Sequence, residues 1–115
     1  MSVRVPYPWV DCFNLYTIRI QSIMIRSFQH KGLEAFFNLG SKAGIRPDHA
    51  HKLQIQLGAL DKSSGPDDMA VPDWKLHPLK GALAKHWAIT VNGNWRLTFR
   101  FVGKDAELVD YQDYH

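Results

Sequence analysis

The sequence predicts an α+β domain: an antiparallel-rich sheet with two N-terminal helices packed on one face. Two observations carry this. Apolar residues recur at helical spacing in two early segments, 30–39 and 48–60. The second half instead alternates apolar and polar residues on either side of Asn92-Gly93, a hairpin signal. Helices followed by a run of strands segregate into layers, with helices covering one sheet face.

In chain order, the alternating MIRSF at 24–28 predicts a first or edge strand. Leu33, Phe36 and Phe37 predict a helix over 30–39, with Gly40 as its C-cap. Ala50, Leu53, Leu57 and Leu60 predict a second amphipathic helix over 48–60, with Pro47 near its start. DKSSGPDDMAVP at 61–72 reads as loop. A short strand is expected over 74–77, then a turn at 79–81. Trp87, Ile89 and Val91 face one way in the next strand, and Trp95, Leu97, Phe99 and Phe101 in the one after. A two-residue loop would set Ile89 beside Arg96. A three-residue loop of Asn92-Gly93-Asn94 pairs Ile89 with Leu97 and Trp87 with Phe99, which gives one clean apolar face. Asn94 is then expected in the left-handed conformation. A last strand runs over 107–113. The uncovered face carries Arg96, Arg100, Lys75 and His77, so it must meet water or a ligand.

The chain has 115 residues, enough for one domain, and 45% apolar content argues against disorder. No stretch approaches the ~18 apolar residues of a membrane span. One cysteine, Cys12, cannot form an internal disulfide, which favours a reducing, cytoplasmic setting. The net charge of +3 is compatible with a polyanionic partner and weak evidence alone. Residues 1–23 have prolines at 6 and 8, no clear period, and none of the organisation of a signal peptide. They are expected to be a leader outside the domain, with Met24 as the true start; a genuine extra arm is the other reading. The domain is residues 24–115.

Chemistry concentrates in the last forty residues. His77, His86, His115, Lys80, Lys85, Arg96, Arg100, Asp110, Tyr111, Asp113 and Tyr114 all suit RNA chemistry. An end built of Asp-Tyr-His is better explained by a site than by packing, since chain ends usually fray. His30, His49, His51 and His86 are read as structural or solvated, and Trp74, Trp87 and Trp95 as core. His49 and His51 do not share a helix face, so no zinc pair is expected; no metal or cofactor is implied.

MIRSF at 24–28, LHPLKG at 76–81, VNGNWR at 91–96 with Phe99 following, and DYQDYH at 110–115 together resemble the HigB toxins of the RelE/ParE superfamily of toxin–antitoxin systems. The resemblance covers residues 24–115. It implies a RelE-like fold and a metal-independent mRNA endoribonuclease (an mRNA interferase) that enters the ribosomal A site. It also implies a HigA-like helix-turn-helix antitoxin, through which alone operator DNA is reached, and no membrane. The implied catalytic residues are His77, Lys80, Arg96, Asp113 and His115. Asn94 and Tyr114 are the implied RNA contacts, and Arg100, from the cationic face of the sheet, is read as a third. One departure is ALAK at 82–85, where the family carries polar residues and a glycine, and it bears on loop shape and codon preference.

RNA supplies its own nucleophile, the 2′-OH beside the scissile phosphate. Cleavage needs that hydroxyl deprotonated, the phosphorane charge stabilised and the leaving 5′-oxygen protonated. Histidine suits both proton transfers near neutral pH. Asp113 and the terminal carboxylate favour the imidazolium of His115, which makes it the general acid. His77, or Lys80 if its pKa is lowered, is the base. Arg96 has the fork that binds phosphate oxygens in pairs, and Tyr114 suits stacking on a base. The residues alone leave two other readings open: a non-catalytic toxin like the superfamily's gyrase inhibitors, and a basic RNA-binding module.

Overall fold

The computed structural model describes residues 25–114; Met24, the leader and His115 lie outside the described residues. Helix α1 spans Lys31–Leu39 and α2 spans Ala50–Lys62. Four strands follow: β1 (His77–Pro78), β2 (His86–Asn92), β3 (Trp95–Val102) and β4 (Asp105–Asp113). They form one antiparallel sheet in the order β1-β2-β3-β4. Among the described residues, no helix is long and apolar enough to cross a membrane.

His30 is the N-cap of α1 rather than its first residue. Its Nδ1 accepts the backbone N–H of Leu33 at 2.9 Å, the role usually taken by Ser, Thr, Asp or Asn. Gly40 ends the helix at φ +77°, its N–H bonded to the Phe36 carbonyl. The start of α1 lies tight against the following loop. A Cβ on Gly32 would stand 2.5 Å from the Gly44 carbonyl oxygen, so both glycines are needed for the approach. A single 3₁₀ turn, Pro47–His49, leads into α2. α2 buries Ala50, Leu53, Leu57 and Leu60, the expected stripe, and adds Gln56. Gln56 Nε2 donates to the Thr90 carbonyl on β2 at 2.8 Å, which ties helix to sheet.

Several boundaries differ from expectation, each for a local reason. Residues 25–28 do not form a full strand. They make two parallel bridges to β4, Ile25 with Ala106 and Phe28 with Val109. The loop at 61–72 contains a 3₁₀ turn at Pro66–Met69. Trp74 ends another at Pro72–Trp74, and Lys75 follows at φ +54°, so the short strand begins only at His77.

The β2–β3 register is the expected one, Ile89 opposite Leu97 and Trp87 opposite Phe99, but its cause is different. Thr90 pairs with Arg96 and Asn92 with Trp95, so Val91 is a one-residue bulge ahead of a two-residue turn. The left-handed residue is Gly93 at φ +56°, not Asn94. The bulge supplies the extra residue that the longer loop was expected to supply. A second irregularity lies in β4, where Leu108 takes φ +54° and its N–H bonds the Ser27 hydroxyl at 2.9 Å. Leu33, Leu53, Leu57, Leu60, Ile89, Leu97, Phe99 and Val109 are fully buried in one core shared by helices and sheet. Trp74 is buried, and Trp87 and Trp95 pack against the core as half-buried residues.

Candidate functional site

Strand pairing decides which candidate residues meet. His77 pairs with Ala88, which pairs with Thr98, which pairs with Asp110. The neighbouring row is Thr90, Arg96 and Gln112, and His86 pairs with Arg100. By the two-residue period of a strand, His77, His86, Arg96 and Arg100 therefore lie on one face. That is the face opposite Trp87, Ile89, Leu97 and Phe99.

His77 is exposed at the sheet's edge, and its Nδ1 is 2.9 Å from the Lys75 carbonyl. A carbonyl only accepts, so Nδ1 carries the proton, and in the neutral ring Nε2 keeps its lone pair. A general base needs that tautomer. Lys80 is exposed three residues on, where the chain leaves β1 for a 3₁₀ turn. Arg96 donates from Nη1 to the carbonyls of Gly93 at 2.7 Å and Trp95 at 3.1 Å. These bonds hold the guanidinium at the base of the β2–β3 turn without neutralising it. The neighbouring carboxylates are engaged elsewhere: Arg100 takes Glu107, and Asp110 accepts from the Tyr111 N–H and from Gln112 Nε2.

Asp113 pairs with Trp95, one residue out of phase with Arg96, so it faces the helical side of the sheet. There it lines a cleft of about 320 Å³ with Arg46, Asp48, His49, Trp95 and the Asn92–Asn94 turn. The structure thus gathers His77, Arg96 and Arg100 on one face and sets Asp113 at the end of β4 on the other. That face is not uncovered as expected, because His86, Ala88 and Thr98 at its centre are buried. Tyr114 is half-buried beyond β4, its N–H bonded to the Asn94 carbonyl at 2.8 Å, so these two implied RNA contacts are neighbours. His115 lies outside the described residues.

Two further results depart from the sequence reading. Tyr111, counted among the residues suited to RNA chemistry, is a core residue. Its hydroxyl sits 2.7 Å from Nδ1 of His49, itself buried. Burial raises the Tyr111 pKa and lowers that of His49. Arg46 and Asp48, exposed beside them, bond side chain to side chain; this raises the arginine's pKa and lowers the carboxylate's. This Arg46–Asp48–His49 turn was missed. A signal existed, because His49 lies four residues before Leu53, in line with the buried stripe of α2. Among the described residues, no group of three or more His, Cys, Asp or Glu side chains is placed to hold a metal ion.

The chain has relatives among known proteins. The chain is 40% identical over 92 residues to the Endoribonuclease HigB of Proteus vulgaris, a match that covers 80% of this chain and all of that protein. A model of the RelE-like HigB toxins of type II toxin–antitoxin systems matches residues 26–115, a span holding every candidate residue on both faces of the sheet, and by that match the chain belongs to the HigB-like toxin family.

Proposed function

We propose that this toxin is a metal-independent endoribonuclease that cleaves mRNA in the ribosomal A site by attack of a 2′-OH on the adjacent phosphate. The observation that carries this reading is His77: it is exposed at the edge of the sheet, and its Nδ1–H is held by the Lys75 carbonyl. Nε2 is thereby set to take the 2′-OH proton. As the 2′-oxygen bonds to phosphorus, the phosphorus–5′-oxygen bond breaks, leaving a 2′,3′-cyclic phosphate. Arg96, on the same face, bears the charge that builds on the phosphoryl oxygens. Lys80 holds phosphate beside it. His115 protonates the departing 5′-oxygen, and Asp113 favours its charged form. Asn94, Arg100 and Tyr114 contact the RNA. The 40% identity to an endoribonuclease over that protein's whole length supports the same chemistry.

The partner that neutralises this toxin is a HigA-like helix-turn-helix antitoxin. Operator DNA is reached only through it. The chain acts in the cytoplasm, where ribosomes are, and residues 24–115 suffice for the activity.

The experiment is mapping of mRNA ends after induced expression, wild type beside His115→Ala. Cuts within translated codons that vanish in the variant are expected. Growth arrest without any cut would put a non-catalytic toxin in its place.

A further inference from the structure

We propose that the His49–Tyr111 pair is a positioning device that holds the end of β4, and with it Asp113 and Tyr114, in the geometry cleavage requires; this rests on the endoribonuclease reading. The two residues are 62 positions apart, 3% and 4% exposed, and joined by a 2.7 Å hydrogen bond. Tyr111 stands two residues before Asp113, on the same side of β4. Its ring packs on Trp95 at 4.6 Å, and His49 meets Trp95 edge-on at 5.6 Å. Trp95 is in turn the cross-strand partner of Asp113.

The strand needs such a hold. The segment that pairs with the outer edge of β4 reaches only as far as Val109. Beyond it, among the described residues, β4 is held along one edge by β3, and Tyr114 by its bond to Asn94. Support from beneath comes from the His30 ring, edge-on to Tyr111 at 5.3 Å, and from His49, at the turn entering α2, which alone of the two bonds the hydroxyl. Packing alone does not call for a histidine there. Burying an imidazole and a phenol costs free energy that a Leu–Phe contact avoids, unless their hydrogen bond does something the apolar pair cannot. A directional bond fixes the rotation and height of Tyr111, and hence where the next residues point.

The test compares wild type with Tyr111→Phe, which keeps the ring and removes the bond. We expect cleavage at saturating ribosomes to slow by about 10- to 100-fold, the scale of a small misplacement of reacting groups, with KM little changed. The Tyr114 amide should also exchange faster with deuterium in the folded variant. A purely structural role would lower thermal stability and leave both readouts alone. Either readout unchanged overturns the proposal. Should Tyr111→Phe not fold, His49→Gln against His49→Leu carries the comparison, since glutamine can still bond the hydroxyl; equal rates and equal exchange overturn it. If wild type cleaves nothing, the endoribonuclease reading falls, while unchanged Tyr114 exchange would separately overturn the hold.

Discussion

Arg100 on β3 donates from Nε to Glu107 on β4 at 2.9 Å, and its Nη2 meets the same carboxylate oxygen. Its charge is paired within the sheet, whereas Arg96 is bound by two carbonyls and, among the described residues, meets no carboxylate. The two arginines should separate on mutation. Arg96→Ala is expected to lower the cleavage rate by about 10²–10³-fold, the scale of removing one donor to a developing oxyanion. Arg100→Ala should lower it only a few-fold and cost under about 1 kcal/mol, since the pair is partly solvated. Cleavage rates and thermal midpoints of both proteins check this.

Removing a proton donor or acceptor should cost more than removing a phosphate contact. His77→Ala and His115→Ala are each expected to slow cleavage by about 10²–10⁴-fold while ribosome binding persists. Lys80→Ala should weaken binding and cleavage together, with a shallower salt dependence of binding. Cosedimentation with ribosomes, beside single-turnover cleavage, separates the two behaviours.

Burial holds the His49 pKa below 6.5, so the unfolded chain binds its proton more readily than the folded one. The stability that neutral His49 contributes is therefore complete above about pH 6.5 and lost as pH falls through the folded value. Asp48 adds the same sign at lower pH, its folded pKa lying below 3.8. Chemical denaturation from pH 8 to 5 should show a fall in stability that is flatter in His49→Gln. Equal slopes would dissociate His49 from the pH response.

Gly32 lies in the first turn of α1, where alanine ordinarily stabilises a helix by about 1 kcal/mol. Here the Gly44 backbone occupies the space its methyl would need. Gly32→Ala should therefore destabilise, by about 1–3 kcal/mol, the usual cost of overpacking. Differential scanning calorimetry gives the sign directly.

A chain beginning at Met24 should fold and arrest growth as the full sequence does. Ile25 bonds Asp61 through its N–H, so a start much beyond Met24 should fail where this one succeeds. Circular dichroism and growth curves of truncations at Met24 and at Gln29 decide between a dispensable leader and a working arm.

The parts of this fold that were legible in the sequence are those with a local cause. Leu53, Leu57 and Leu60 repeat with the helix, and Trp87, Ile89, Leu97 and Phe99 alternate with the strand, so stripe and register both follow from period. The register even survived a wrong account of the turn, because an apolar face admits only one parity whether loop or bulge supplies the extra residue. What was not legible was long-range. Nothing local says that residues 25–28 run parallel to β4, that His49 caps a tyrosine 62 positions on, or that Glu107 claims Arg100 rather than Arg96. Asp113 shows the same limit within the candidate site: its strand phase sets it on the other face of the sheet from Arg96, although its partner Trp95 is the residue just before that arginine.

The parallel bridges between residues 25–28 and β4 bear on the order in which this chain assembles. The three hairpin-linked strands β2, β3 and β4 meet through short connections, which close quickly. The bond from Leu108 to Ser27 closes a loop of 81 positions, and its entropy cost falls on whichever step brings the two ends together. β4 therefore finds its inner neighbour early and its outer one late. Mutations in that outer seam, at Ser27 or Phe28, should chiefly change how fast a complete toxin appears, which gives an antitoxin time to meet it.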